Sequence, residues 1–263
     1  MTARAGHQPP GRYRFRHLAR MEWIKLRSLR STWIVLALAL VAPAGIAVAT
    51  GGSNTTSGGM FVSNTLVGML IGVLLIGVAG VLAMTGEYAS GTISATFAAA
   101  PRRPGVLAAK AAVVGAVALV TGEAAAFLSF FAGGMTLHHG ITAPALGQPG
   151  VLRAIVLTGA SLSLAGLFGL GLGAIIRHTA AAITVVVGIV FVGGTFIGQS
   201  DFAIRPYLPL YIVSHSLGAT GPAACLPGMA SCWLSPWSGL GLLAGYAAIA
   251  MLLGGLILAR RDA

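Results

Sequence analysis

The stretch from Met60 to Met84, MFVSNTLVGMLIGVLLIGVAGVLAM, carries no charged residue, and Gly86-Glu87-Tyr88-Ala89-Ser90-Gly91-Thr92-Ile93 follows it almost at once. An apolar run of about 20 residues crosses a bilayer as a helix, because a helix satisfies its own backbone hydrogen bonds in hydrocarbon. The apolar run therefore reads as a membrane span. The polar run, which continues through Pro101-Arg102-Arg103-Pro104 to Lys110, reads as the loop that leaves it.

Working outward, five more apolar segments cover about 32–50, 106–133, 152–176, 179–198 and 237–258. Of the 263 residues, 56% are hydrophobic and 8% charged, whereas soluble domains carry about 25% charged residues. The runs are continuous and do not alternate, which argues against a membrane β-barrel. The expectation is an all-α, polytopic membrane protein of six transmembrane helices preceded by an amphipathic interfacial helix. Ala47-Val48-Ala49 resembles a signal-peptide cleavage site. The long basic region before it, with Phe15, Trp23 and Leu26, favours an uncleaved first span.

The net charge of +11 is unevenly placed. Arg4, Arg12, Arg14, Arg16, Arg20, Lys25, Arg27 and Arg30 all precede the first span. With six spans and a cytoplasmic amino terminus, only Arg153 and Arg205 of the 16 cations fall outside. Such an excess of inside cations sets topology and faces anionic lipid. A cell-membrane protein with both termini cytoplasmic is expected, with membrane lipid as a partner. The chain shows no folded module or basic aromatic surface of the kind that reads nucleic acid.

Residues 12–31 have helical periodicity, with Phe15, Ala19, Trp23, Leu26 and Leu29 within one face and Arg16, Arg20 and Arg27 beside it. This mixture of aromatic and arginine suits a helix lying in the interface, with Trp23 and Lys25 among its anchors. Residues 1–11, broken by Gln8-Pro9-Pro10-Gly11, read as a disordered cytoplasmic tail, and 259–263 as a second tail. Gly68 and Gly72, then Gly166, Gly169, Gly171 and Gly173, then Gly188, Gly193, Gly194 and Gly198, let helices approach closely in lipid. Packing inside the bundle is favoured over a subunit seam. Arg177-His178 is so short a connection that the fourth and fifth spans should form an antiparallel hairpin.

Catalytic chemistry is thin. A phosphate-cradling loop needs Gly-Lys-Ser/Thr, but Lys25 follows Ile24 and Lys110 follows Ala109, and the chain has no other lysine. Neither a cofactor nor a metal is expected in this chain. His138-His139 has no second ligand cluster, His178 and His215 are isolated, and Asn54-Thr55-Thr56 is a weak glycosylation match in a tight loop. Cys225 and Cys232, in the last outer loop, are compatible with a disulfide or with two free thiols. Glu123 lies within the third span, where a charge is costly. It reads either as a substrate or proton contact or, the favoured alternative, as the partner of Arg153.

The island around Glu87 stays unexplained by topology alone. Positive-inside anchoring accounts for its arginines, but not for Glu87 or for its small, apolar centre. Such a loop should dock against something. The block Gly86-Glu87-Tyr88-Ala89-Ser90-Gly91-Thr92-Ile93 with Pro101-Arg102-Arg103 and Lys110, preceded by Glu22-Trp23-Ile24-Lys25-Leu26-Arg27-Ser28-Leu29-Arg30-Ser31-Thr32-Trp33 and closed by Leu234-Ser235-Pro236-Trp237 and Arg260-Arg261-Asp262, resembles the permease subunit of bacterial type-2 ABC exporters. The resemblance covers nearly the whole chain.

The resemblance implies paired permeases, each bound to a separate nucleotide-binding ATPase subunit that holds ATP and Mg. A second copy of this chain is the expected partner in the pair. It makes Glu87, Tyr88, Gly91, Thr92, Arg102 and Arg103 the candidate coupling contact, with the Arg16–Arg30 segment beside them. It implies export; spans rich in Gly, Ala, Val and Leu suit a hydrophobic or amphipathic substrate (drug, antibiotic, peptide or lipid), and the expected mechanism is alternating access, spans one, two and five reorienting across the dimer seam. Leu217 to Cys232 departs from the family pattern. The competing readings are a secondary carrier, for which inverted repeats and paired mid-membrane polar sites should show, and a membrane sensor or assembly protein without an ATPase.

Overall fold

The computed structural model describes residues 15–51, 59–93, 103–137, 142–197, 204–217 and 234–260. Helix α1 (Phe15–Ser28) leads directly into α2 (Arg30–Gly51), and α3 (Gly59–Leu66), α4 (Met69–Ala89), α5 (Arg103–Gly134) and α6 (Val151–Ile176) follow. Helix α7 (Thr179–Val187) continues as a π-helix over Gly188–Ile197, a short helix α8 spans Pro209–Tyr211, and α9 is Pro236–Arg260. Among the described residues, six helices are long and apolar enough to cross a membrane: Arg30–Gly51, Phe61–Ala89, Pro104–Gly134, Val151–Ile176, Thr179–Phe196 and Pro236–Arg260. The protein is an all-α polytopic membrane protein, and these helices are spans one to six below.

Span two is α3 and α4 joined through a turn at Val67 and Gly68. Pro43 lies inside span one, where it removes a backbone donor. Gly68 rests on it: a Cβ at Gly68 would come within 2.8 Å of the Pro43 carbonyl oxygen. The two irregularities are packed against each other.

Span four is the most buried of the six and packs on spans two, three and six. Apolar burial cannot drive such contacts in lipid, so close backbone approach must. A Cβ on Gly80 would overlap the Gly166 carbonyl oxygen, one on Gly169 that of Gly77, and one on Gly122 that of Gly159. Gly171 meets Ala250 of span six instead. The glycines of span four thus serve packing inside this chain. Gly188 and Gly193 differ, since no side chain lies within 4 Å of a Cβ built on either. Gly198 is outside the described residues.

Spans four and five are joined as tightly as the sequence requires. Arg177 is in the left-handed region (φ 61°) and its N–H donates to the Gly173 carbonyl. His178 caps the next helix, its Nδ1 accepting from the Ala181 N–H at 3.4 Å. At the far end of the bundle, where the sequence reading left 199–236 without an element, a 3-10 turn at Arg205–Tyr207, α8 and a π-helix at Ile212–Leu217 follow one another. Ile212, Val213 and Leu217 are buried in the core, and the Tyr207 carbonyl accepts from Tyr246 Oη of span six at 2.9 Å. The segment is too short to span, so its apolar residues dip into the bundle instead.

Candidate functional site

The site lies at the end of the bundle that carries α1. Leu18 and Met21 of α1 pack on Val106 and Ala109 near the start of span three. Glu22 shares that face and is 3% exposed. An isolated carboxylate there would be expelled by its desolvation cost, so burial demands a cation. Lys110, one residue beyond Ala109 and 5% exposed, supplies it: its Nζ donates to Glu22 Oε2 at 2.5 Å.

Two more charges complete the arrangement. Lys110 Nζ also donates to Glu87 Oε1 at 2.9 Å. Lys25, one turn after Glu22, donates to the same Glu87 oxygen at 2.9 Å and to Glu22 Oε1 at 3.3 Å. Each ammonium therefore bridges both carboxylates, and the four groups form a ring in which two positive charges face two negative ones. It ties together α1, the end of span two and the start of span three. Burial acts to lower the Lys25 pKa, but its hydrogen bond to Glu87 and the charges of Glu22 and Glu87 outweigh this and raise it.

Beyond the ring, the chain turns. Gly91 has φ 69°, the left-handed conformation that favours glycine past a helix end. The Ser90 and Gly91 N–H groups donate to the carbonyls of Gly86 and Tyr88. Ser90 Oγ and Thr92 Oγ1 lie 2.9 Å apart. Ala89, Ser90, Gly91 and Thr92 are exposed, whereas Ile93 is buried against Met84, Leu107, Leu170 and Leu258. The turn is held from below and open above. Tyr88 faces sideways, with the Arg177 guanidinium 5.4 Å from its ring centre. That contact joins the end of span two to the connection between spans four and five.

The expected site residues are thus divided. Gly91 and Thr92 form an exposed turn. Glu87 and Tyr88, expected in the coupling contact, have partners within the chain. Arg16, Arg20, Trp23 and Arg27 recur at helical spacing on the exposed side of α1, while Lys25 belongs to the ring. Arg103 is the first residue of α5. Arg102, Cys225, Cys232, His138, His139, the Asn54 sequon, the tail 1–11 and residues 261–263 of the tail expected over 259–263 lie outside the described residues, as does most of Leu217 to Cys232, whereas Ala259 and Arg260 end α9. Glu22 is the residue that the sequence reading missed as a site member. Its signal was present: a lone acid among arginines, three positions before one of only two lysines.

Phe15, Trp23 and the adjoining Leu29, expected to lie in the membrane interface, are exposed, at 54%, 44% and 53%. Leu18, Met21 and Glu22, on another face of α1, make contact with the bundle. One expectation needs correction: the pairing of Glu123 with Arg153 is not made, and among the described residues the Glu123 carboxylate has no ion pair or hydrogen bond. Glu123 lies against Gly159, and Arg153 is six residues farther along span four, roughly 9 Å away in helix rise.

The model for ABC-2 family transporter proteins matches residues 18–192. The chain belongs to the ABC-2 transporter family. No curated protein matches it. The matched residues begin at Leu18, the first buried residue of α1, and include the whole charge ring. As an ABC-2 family member the chain is a membrane transport component, and permeases of the family generally work with a nucleotide-binding ATPase partner.

Proposed function

We propose that this chain is the permease subunit of an ABC exporter, driven by ATP hydrolysis in a separate nucleotide-binding subunit that holds ATP and Mg. It works at the cell membrane with both termini cytoplasmic, and it pairs with a second copy of itself. The observation that carries the reading is the ring of Glu22, Lys25, Glu87 and Lys110, which joins α1 to the ends of spans two and three. A push applied to the exposed turn at Ser90, Gly91 and Thr92 reaches all three elements together. Fixed, mutually satisfied charges resist shear better than apolar contacts, because sliding by one residue leaves a buried ion without its partner.

The mechanism follows from that stiffness. Closure of the partner ATPases displaces the turn and the α1 surface beside it, where Arg16, Arg20, Trp23 and Arg27 are exposed. Arg102 and Arg103 provide a second contact or a membrane anchor. The displacement passes through the ring to spans one, two and three, and through Tyr88 and Arg177 toward span five. The spans then alternate access for a hydrophobic or amphipathic substrate. Spans one and five offer faces for a second copy: Gly45 and Gly188 have open space beside them, and Ile34, Val41 and Val192 are exposed.

The test is co-purification. The tagged chain, co-expressed with a candidate nucleotide-binding subunit, should bring that subunit down in equal amount and raise its ATPase rate. Absence of any such complex would sink the reading in favour of a carrier or sensor.

A further inference from the structure

Glu123 is the acidic side chain within span three that the ring does not use. At about 1.5 Å of rise per residue it lies roughly 20 Å beyond Lys110 and 17 Å short of Gly134, well inside the hydrocarbon. It is half-buried and flanked on its face by Leu119 one turn before, 41% exposed, and Phe127 one turn after, partly buried. Ala116, Val120 and Ala124 of the same outward arc are exposed as well. The carboxylate lies against Gly159 of span four, where even a Cβ would come within 2.9 Å of it, at the edge of this open arc. Thr158, beside Gly159, has a fully buried hydroxyl that makes no hydrogen bond among the described residues.

A carboxylate at this depth of a span, without an ion pair or hydrogen bond among the described residues, is costly and marks a binding function by default. An acid one turn from an aromatic ring, between aliphatic side chains, matches one ligand chemistry. It suits a cation whose charge is spread under apolar groups, held by ion pairing and by the ring face. We propose that the Leu119–Glu123–Phe127 face of span three binds lipophilic organic cations that arrive laterally from the bilayer. Calling them a substrate class rests on the permease reading; their binding does not.

The purified full-length chain in nanodiscs is titrated with tetraphenylphosphonium and with tetraphenylborate, an anion of the same shape. The cation should bind saturably and the anion should not. E123Q should weaken the cation about tenfold or more, as loss of a charge pair in a low-dielectric site requires, while Glu123→Asp retains most of the affinity. In the wild type, tetraphenylphosphonium should also shield Glu123 from dicyclohexylcarbodiimide, read by mass spectrometry of span three. Unchanged affinity in E123Q, equal binding of the two ions, or labelling unaffected by the cation overturns the proposal. The shielding experiment needs no variant to fold. Binding by the chain alone needs no ATPase, so failure here and failure of the ATPase to co-purify are separate outcomes.

Discussion

Lys110 and Glu22 stand 88 positions apart in the chain, yet the lysine Nζ lies 2.5 Å from the glutamate Oε2. Both side chains are almost wholly buried. The contact fixes α1 to span three at one register. Lys110→Met leaves Glu22 buried beside only the half-exposed Lys25. The expected cost is about 3 to 5 kcal/mol, read as a large drop in the thermal midpoint of the purified protein. Glu22→Leu combined with Lys110→Leu should recover much of it, since both charges leave together. A Lys110→Met protein as stable as the wild type would show that the contact holds nothing.

A ring behaves differently from a pair. Exchanging the charges of an isolated pair restores it. Here, Lys25→Glu with Glu87→Lys sets a carboxylate beside Glu22 and an ammonium beside Lys110. The double exchange should be no more stable than the worse single variant, by thermal unfolding in the same detergent. Recovery would mean that Lys25 and Glu87 act as a separate bridge.

The pH dependence has a definite sign. Lys25 has its pKa raised above 10.5 in the folded protein. Its contribution is therefore complete below that value and is lost as pH rises through the folded pKa. The gap in thermal midpoint between wild type and Lys25→Met should stay constant from about pH 7 to 10 and narrow above that. A gap that narrows on acidification in that range contradicts the assignment.

Two glycines of the apolar spans should respond oppositely. Gly169→Val drives a side chain into the Gly77 backbone, which cannot move aside. Folded protein should fall sharply in size-exclusion profiles. Gly188→Ala meets nothing within 4 Å and should leave the monomer unchanged, its effect confined to assembly with a second copy.

The exposed turn can be stiffened wrongly without touching the ring. Gly91→Leu places a branched side chain at φ 69°, at a cost of about 1 to 2 kcal/mol. It should lower the ATPase stimulation of the reconstituted complex more than it lowers stability. Gly91→Asn, which tolerates that conformation, should stay close to wild type. Equal stimulation in all three proteins would remove the turn from the coupling path.

The spans were legible because hydrocarbon imposes one rule on every residue it meets. The short Arg177-His178 connection was legible for a similar reason, since two residues leave the chain few ways to reverse. The ring was not. Lys25 reads as an interface anchor, Glu87 as a docking contact and Lys110 as an inside cation, each sensible within its own segment. Their meeting depends on where α1 comes to rest, and a Trp23 face assigned to the interface leaves open what the opposite face meets. Leu18 and Met21 decide the matter through a fit to Val106 and Ala109 that no local pattern encodes. Glu123 and Arg153 fail to meet because helix register, not proximity in sequence order, sets which turns face each other.

The ring has a consequence for chemistry done on the protein from outside. It contains both lysines of the chain, and the remaining side-chain cations are arginine and histidine. Lys110, 5% exposed, offers its amine to an acylating reagent only when α1 lifts away. Acetylation at that one position would therefore keep time. Its rate, followed with and without nucleotide on the partner, reads how often the clasp opens in each turn of the transport cycle.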